Sequence, residues 1–273
     1  MEKFIFISDP HICAGGERII GLDPAQRLRE VLETATTDHP DAKAVIFLGD
    51  LTHHGATHEY ENLRDLLAAL TVPVILMLGN HDRRAPFLSV FADVPQTAGG
   101  FVQDVNDFER IRLITLDSLD GPPYPDNHHS GRLCAQRLAF LQEALETRGD
   151  KTAVVCIHHP PFDTGIRGMD NIRLQDAPAF LSMLAPYSDL YLVCGHVHRN
   201  ISGMTAGIPW TMFKSPCHQG VLDLETDNAH LSTNEPAAYG LMLVTDEGIV
   251  LHSVDVNLSG VRIFGGYAPE EQP

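Results

Sequence analysis

Six short apolar runs constrain this chain more than any other feature: KFIFIS (Lys3 to Ser8), AVIFLG (Ala44 to Gly49), VPVILML (Val72 to Leu78), IRLITLD (Ile111 to Asp117), TAVVCI (Thr152 to Ile157) and LYLVCG (Leu190 to Gly195). Near-continuous apolar strands of this length belong in a sheet buried on both faces. Amphipathic segments lie between several of them. DPAQRLREVLETATT opens with Asp23 as N-cap and Pro24 at the first helical position. THEYENLRDLLAAL places Tyr60, Leu63, Leu66, Leu67 and Leu70 on one helical face, and CAQRLAFLQEALE and DAPAFLSMLA read the same way. Strands alternating with helices predict an α/β layered architecture. The segment AYGLMLVTDEGIVLHSVDV reads instead as two strands about a DEG turn, a hairpin that extends the domain at its C-terminal end.

The runs share their endings. The first leads into SDPH, the second into GD, the third into GNHD, the fifth into HHPP and the sixth into GHVH. Ligands of open α/β sheets bind beyond the carboxyl ends of the strands, so Asp9, His11, Asp50, Asn80, His158, His196 and His198 are expected along one edge. Two carboxylates, one amide and four imidazoles, with no thiolate, suit Fe, Mn, Zn or Co. Seven donors exceed the needs of one ion with an open position but suit two ions sharing a carboxylate. Such a pair is the clamp used for in-line displacement at phosphorus, with a hydroxide held between the ions.

Composition narrows the classes further. The chain has 273 residues, enough for one large α/β domain, and a net charge of −17 with no basic run. That balance argues against a nucleic-acid polymer as partner, because a phosphate grip needs clustered Lys and Arg. Five scattered cysteines without a C-x-x-C pair predict no disulfide framework and a reducing, cytoplasmic home. No apolar run reaches the length of a membrane span, and MEKFIFISD is too short and too acidic at its end for a signal peptide.

The ordered set D-x-H, G-D, G-N-H-D, H-H, G-H-x-H, spread from Asp9 to His198, resembles the calcineurin-like metallophosphoesterase superfamily. Within it, the SGRLCAQRLAFLQEAL, IHHPPFDTG and CHQG segments make the chain most similar to class III cyclic nucleotide phosphodiesterases and bacterial metal-dependent glycerophosphodiesterases. The resemblance implies a four-layer α/β/β/α sandwich. It further implies a core over residues 1–205, with residues 206–273 completing the sandwich and serving a homodimer or higher homo-oligomer. Asp9, His11 and His198 would hold a first metal, Asn80, His158 and His196 a second, and Asp50 would bridge. His81 would face the substrate, stabilising the transition state or protonating the leaving oxygen. The activity implied is hydrolysis of small phosphodiesters, cyclic nucleotides or glycerophosphodiesters, with a phosphomonoesterase or a non-catalytic scaffold as alternatives.

The remaining candidates read more plainly. Asp82 is expected to brace or cap, and His159, before Pro160, to take either a hydrogen-bonded structural place or a substrate contact. His53, His54 and His58 read as solvated surface, with a place at the pocket mouth as the alternative, and the same holds for His128 and His129 on the lid-like stretch PPYPDNHHSG. Arg83 and Arg84 read as surface charge at a helix start, with attraction of an anionic substrate as the alternative. His218, in SPCHQG, is a candidate substrate contact alongside Asn80 and His81, with a plain loop role as the alternative.

Overall fold

A computed structural model describes residues 1–125 and 129–258. In chain order the elements are β1 (Glu2–Ile7), α1 (Pro24–Asp38), β2 (Ala44–Phe47), α2 (Thr57–Leu67), β3 (Val74–Leu76), α3 (Arg84–Val90), β4 (Asp104–Asp107), β5 (Ile111–Leu116), α4 (Ala135–Glu146), β6 (Thr152–Ile157), α5 (Arg167–Asp170), α6 (Ala177–Leu184), β7 (Leu190–Cys194), β8 (Ile201–Thr205), β9 (Ile208–Met212), β10 (Gln219–Gly220), β11 (Ser232–Thr233), β12 (Ala238–Val244) and β13 (Ile249–Asp255). Two large mixed sheets result, ordered β13-β12-β1-β2-β3 and β4-β5-β6-β7-β9-β8.

The two-residue period of the strands builds the layers. In β1 and β2, Ile5, Ile7, Val45 and Phe47 pack with Leu28, Val31 and Leu32 of α1 and with Tyr60 and Leu63 of α2. Their neighbours Phe4, Phe6, Ala44 and Ile46 face the other way, onto Leu113, Val154, Cys156 and Val193 of the second sheet. Ile114, Val155, Ile157 and Leu192 in turn meet Leu141 and Leu145 of α4 and Phe180 and Leu184 of α6. Helices, sheet, sheet, helices: the α/β/β/α sandwich is present.

Local signals explain the ends of the elements. Asp23 caps α1 by accepting from the Gln26 backbone N–H at 3.0 Å, with Pro24 behind it. Glu59 of α2 reaches back to the Ala56 N–H at 3.0 Å, the return half of a capping box. The C-terminal hairpin forms as expected, and β12 runs antiparallel to β1, so it joins the first sheet beside its central strand. Three departures have physical reasons. The third strand is only Val74–Leu76, shorter than Val72 to Leu78, and its start follows from Pro73, which carries no N–H for the ladder. The strand β4, sequence DVND, forms against its propensity by pairing with β5. The run before SPCHQG is strand-like and forms β9, but its partner β8 has no sequence signal; Gly203 lies within β8, where the Trp210 ring of β9 fills the space a side chain would take. The described residues contain no helix long and apolar enough to cross a membrane, and all five cysteines are free. Three expectations from the sequence fall at least partly outside the described residues: His128, the lid reading around it, and residues 259–273 of the C-terminal extension.

Candidate active site

Strands β1, β2 and β3 run parallel, and so do β5, β6 and β7. Their carboxyl ends therefore deliver Asp9, Asp50, Asn80, His158 and His196 to one edge of the sandwich, with His11 and His198 two residues further along. Every one of the seven is buried. Backbone geometry sets these positions apart: Asp9 (φ 54°), His11 (47°), Asp50 (46°), His196 (73°) and His198 (53°) all occupy the left-handed region. That conformation costs a side-chain-bearing residue free energy and gathers where function demands it. The glycines of the G-D and G-N-H-D motifs have a steric reason. A Cβ on Gly49 would sit 2.6 Å from His158 Nδ1, and one on Gly79 would sit 2.6 Å from His158 Cε1.

The polar atoms converge as acceptors facing acceptors. His158 Nδ1–H donates to the Leu48 carbonyl at 2.8 Å, which leaves Nε2 with a lone pair. That Nε2 lies 3.2 Å from Asn80 Oδ1 and 3.4 Å from Asp50 Oδ2. His198 Nδ1–H donates to the His218 carbonyl at 3.0 Å, leaving its Nε2 3.1 Å from His11 Nε2 and 3.4 Å from Asp9 Oδ1. His196 Nε2 is buried with no hydrogen-bond partner among the described residues. Lone pairs packed this closely need protons or cations between them. Proton affinities reflect the same crowding. Burial pushes His158 down, but the Asp50 and Asp9 carboxylates outweigh it and raise the ring to about 9. Burial alone would raise Asp50; His158, His81 and His11 instead hold it well below the usual carboxylate range. Oxygen and imidazole donors arranged this way fit divalent cations. Asp9, His11, Asp50 and His198 form one group with donor atoms within 4.8 Å of one another, and His158 and His196 share a second with His159. Both nitrogens of His159 are already engaged, however, by Ser118 Oγ at 2.8 Å and the His129 carbonyl at 3.1 Å.

Around the donors, each element of the GNHDRR stretch has its own place. The His81 N–H donates to Asp50 Oδ1 at 2.8 Å, and His81 Nδ1–H donates to the His53 carbonyl at 2.7 Å, so Nε2 is the ring nitrogen left over. Asp82 is a brace: it accepts from the backbone N–H groups of Gly79 (2.9 Å), Leu51 (3.1 Å) and Thr52 (3.3 Å) and from the Tyr60 hydroxyl (3.0 Å). The surface reading of the arginines is corrected. Arg84 is 8% exposed and grips the buried Asp117 with both ends of its fork, at 2.7 Å each. Arg83 lies over the Tyr124 ring, 4.2 Å from its centroid.

A cleft of about 290 Å³ opens over the donors, walled by Ile19, Ile20, Met169, Ile172, Leu231 and further histidines. His218 is in the wall, its ring 4.6 Å from that of His198. His53 and His129 are also in the wall, so of their two sequence readings, solvated surface and pocket mouth, the second holds. The His53 ring stacks on His81 at 5.2 Å, and His129 Nδ1 lies 3.2 Å from Asn80 Nδ2. His54 and His58 are exposed. No sequence signal marks the apolar wall, since these residues come from three separate segments with no shared pattern. A larger cleft, about 560 Å³, lies between α1 and α2 and contains none of the seven donors.

Comparison with known proteins agrees with this arrangement. Residues 2–200 match the family model of the calcineurin-like phosphoesterases. A probable cyclic nucleotide phosphodiesterase of Rhodopseudomonas palustris is 42% identical over 94% of both chains. A probable glycerophosphodiester phosphodiesterase of Arcobacter nitrofigilis is 32% identical over 90% of both. Among solved structures, a dimetal phosphatase from Danio rerio superposes with a TM-score of 0.69 at 15% identity, over 94% of this chain and 99% of that one, a likeness of fold alone. Motif order, donor geometry and matched length lead to one assignment: the chain belongs to the calcineurin-like phosphoesterase family.

Proposed function

We propose that the chain is a binuclear metal-dependent phosphodiesterase acting on small diesters. The observation that carries this reading is the convergence of His158 Nε2, Asn80 Oδ1 and Asp50 Oδ2 beside a second cluster of Asp9, His11 and His198. Asp9, His11 and His198 would hold one ion, Asn80, His158 and His196 the other, with Asp50 shared. Bound there, the two ions supply Lewis acidity and an activated water for in-line displacement at phosphorus. The Leu48 and His218 carbonyls fix the His158 and His198 tautomers so that Nε2 faces the site. His81, held through Nδ1 by the His53 carbonyl, keeps Nε2 for the phosphate or the departing oxygen. Fe, Mn, Zn and Co all suit these donors.

The cleft walls bear on substrate. Its lining includes no Lys or Arg among the described residues, while Asp50 and many histidines are present. A singly charged diester demands less positive charge there than a doubly charged monoester, which supports diesterase over monoesterase chemistry. Ile19, Ile20, Met169, Ile172 and Leu231 offer an apolar face, a better match for a nucleobase than for glycerol. The names of the relatives, cyclic nucleotide and glycerophosphodiester phosphodiesterases, run in the same direction. We further propose a cytoplasmic enzyme, supported by five unpaired cysteines. Residues 1–205 form its catalytic core, and residues 206–273 complete the sandwich and support a homodimer. Hydrolysis of a panel with Mn²⁺ tests the reading: 3′,5′- and 2′,3′-cyclic AMP, glycerophosphodiesters and a monoester. A cyclic nucleotide should be turned over fastest, and a monoester preferred over every diester would overturn the assignment.

A further inference from the structure

The two ends of an asparagine amide have nearly the same shape, so only neighbours decide which end faces a site. Asn80 is 2% exposed, and its Oδ1 faces the donor cluster, 3.2 Å from His158 Nε2. The opposite rotation would present an NH₂ group, which cannot coordinate a cation. On its other side, Asn80 Nδ2 lies 3.2 Å from His129 Nδ1. An acceptor at that position pairs with the amide N–H and holds the oxygen inward.

His129 is itself anchored. Its carbonyl accepts from His159 Nε2 at 3.1 Å, and Ser118 Oγ donates to His159 Nδ1 at 2.8 Å; both Ser118 and His159 are fully buried. Gly131, two residues on, lies so close to the His159 ring that a Cβ there would overlap it. Its N–H donates to the Arg173 carbonyl, and its own carbonyl accepts from Gln175 at 2.9 Å. The second histidine of IHHPP therefore fixes the backbone of the second histidine of NHHS, whose ring fixes the amide. Neither histidine had a function in the chemistry above.

We propose that His129 is a positioning residue: it locks the Asn80 amide with Oδ1 toward the second metal position, and His159 and Ser118 hold it there. This rests on the reading that Asn80 faces a cation. A partner that orients a metal donor contributes about 10- to 100-fold in metal affinity. The test is equilibrium dialysis of metal-depleted protein against Mn²⁺, with no substrate present. The wild-type chain should take up two equivalents. His129→Ala and the space-filling His129→Leu should weaken one of the two by about 10- to 100-fold and leave the other unchanged. His129→Asn, which keeps an acceptor at the δ position, should restore most of the loss. In an Asn80→Ala background, His129→Ala should cause no further loss.

Wild-type affinity at both sites in His129→Ala and His129→Leu would overturn the proposal. So would losses that add fully to those of Asn80→Ala. Uptake of fewer than two equivalents by the wild-type chain would overturn the binuclear reading itself, and this inference with it. Should His129→Ala fold poorly, the contrast between the Asn and Leu variants still decides.

Discussion

Replacing Arg84 with Met should destabilise the fold by about 3 kcal/mol. The arginine lies in the first turn after the GNHD motif, and its fork donates to both oxygens of Asp117 at 2.7 Å and to the Leu119 carbonyl at 2.7 Å. Asp117 follows β5 of the second sheet and is fully buried, so the pair staples the two sheets at the edge that carries the site. Removing one partner of a buried ion pair costs about 3–5 kcal/mol, because the other charge stays behind without compensation. Asp117 retains the N–H groups of Val102 (2.9 Å) and Leu119 (3.1 Å), with Arg137 at 4.0 Å, which argues for the lower end. For a chain of this size that is a fall in Tm of about 6 °C. Urea unfolding should show it as a lower midpoint at unchanged slope. The single tryptophan, Trp210, stacks on Phe162 in the second sheet and reports independently of far-UV dichroism. Arg84→Lys should lose roughly half as much, since an ammonium cannot span both oxygens. A loss below about 1 kcal/mol in Arg84→Met would refute the claim that a buried, poorly replaced pair joins the sheets here.

Gly79→Ala should destabilise by about 1–3 kcal/mol, since its Cβ would sit 2.6 Å from His158 Cε1, and displacing that ring should cut turnover about 100-fold; steady-state kinetics and thermal unfolding check both. His81→Ala should lower turnover by about 10²- to 10⁴-fold with metal content unchanged by elemental analysis, and unchanged turnover would remove His81 from the chemistry. Asp107 has its carboxyl held at about 2 by hydrogen bonds from Arg112, with burial opposing and Lys151 assisting. A carboxylate lowered on folding stabilises above its ordinary value near 3.8 and loses that contribution as pH falls through about 2. The pair is partly exposed, so Asp107→Asn should cost under about 1 kcal/mol at pH 7 and only a small fraction of that near pH 2, as read by urea titration at both.

What the sequence disclosed follows from the range of the interactions involved. Asp9, His11, Asp50, Asn80, His158, His196 and His198 could be found because each sits at or just past an apolar run, and parallel pairing turns that local fact into a shared edge. The first helix was equally plain, since Asp23 and Pro24 signal its start within a few residues. Arg84 could not be read, because its partner lies 33 residues away and only the meeting of two sheets brings them together. His53 and His129 looked solvated for the same reason: their burial comes from His81 and Asn80, on a different segment. The polar strand DVND contradicted its own composition, and pairing with β5 decided the matter.

The claim that two cations in this donor set drive diester hydrolysis is tested most directly by titrating metal-depleted protein with Mn²⁺ while following hydrolysis of bis(4-nitrophenyl) phosphate. The account predicts no turnover without metal and, on adding it, a rise that saturates only at two equivalents per chain; that rise is lost in His158→Ala. Hydrolysis that needs no metal, or that saturates at one equivalent, would contradict it.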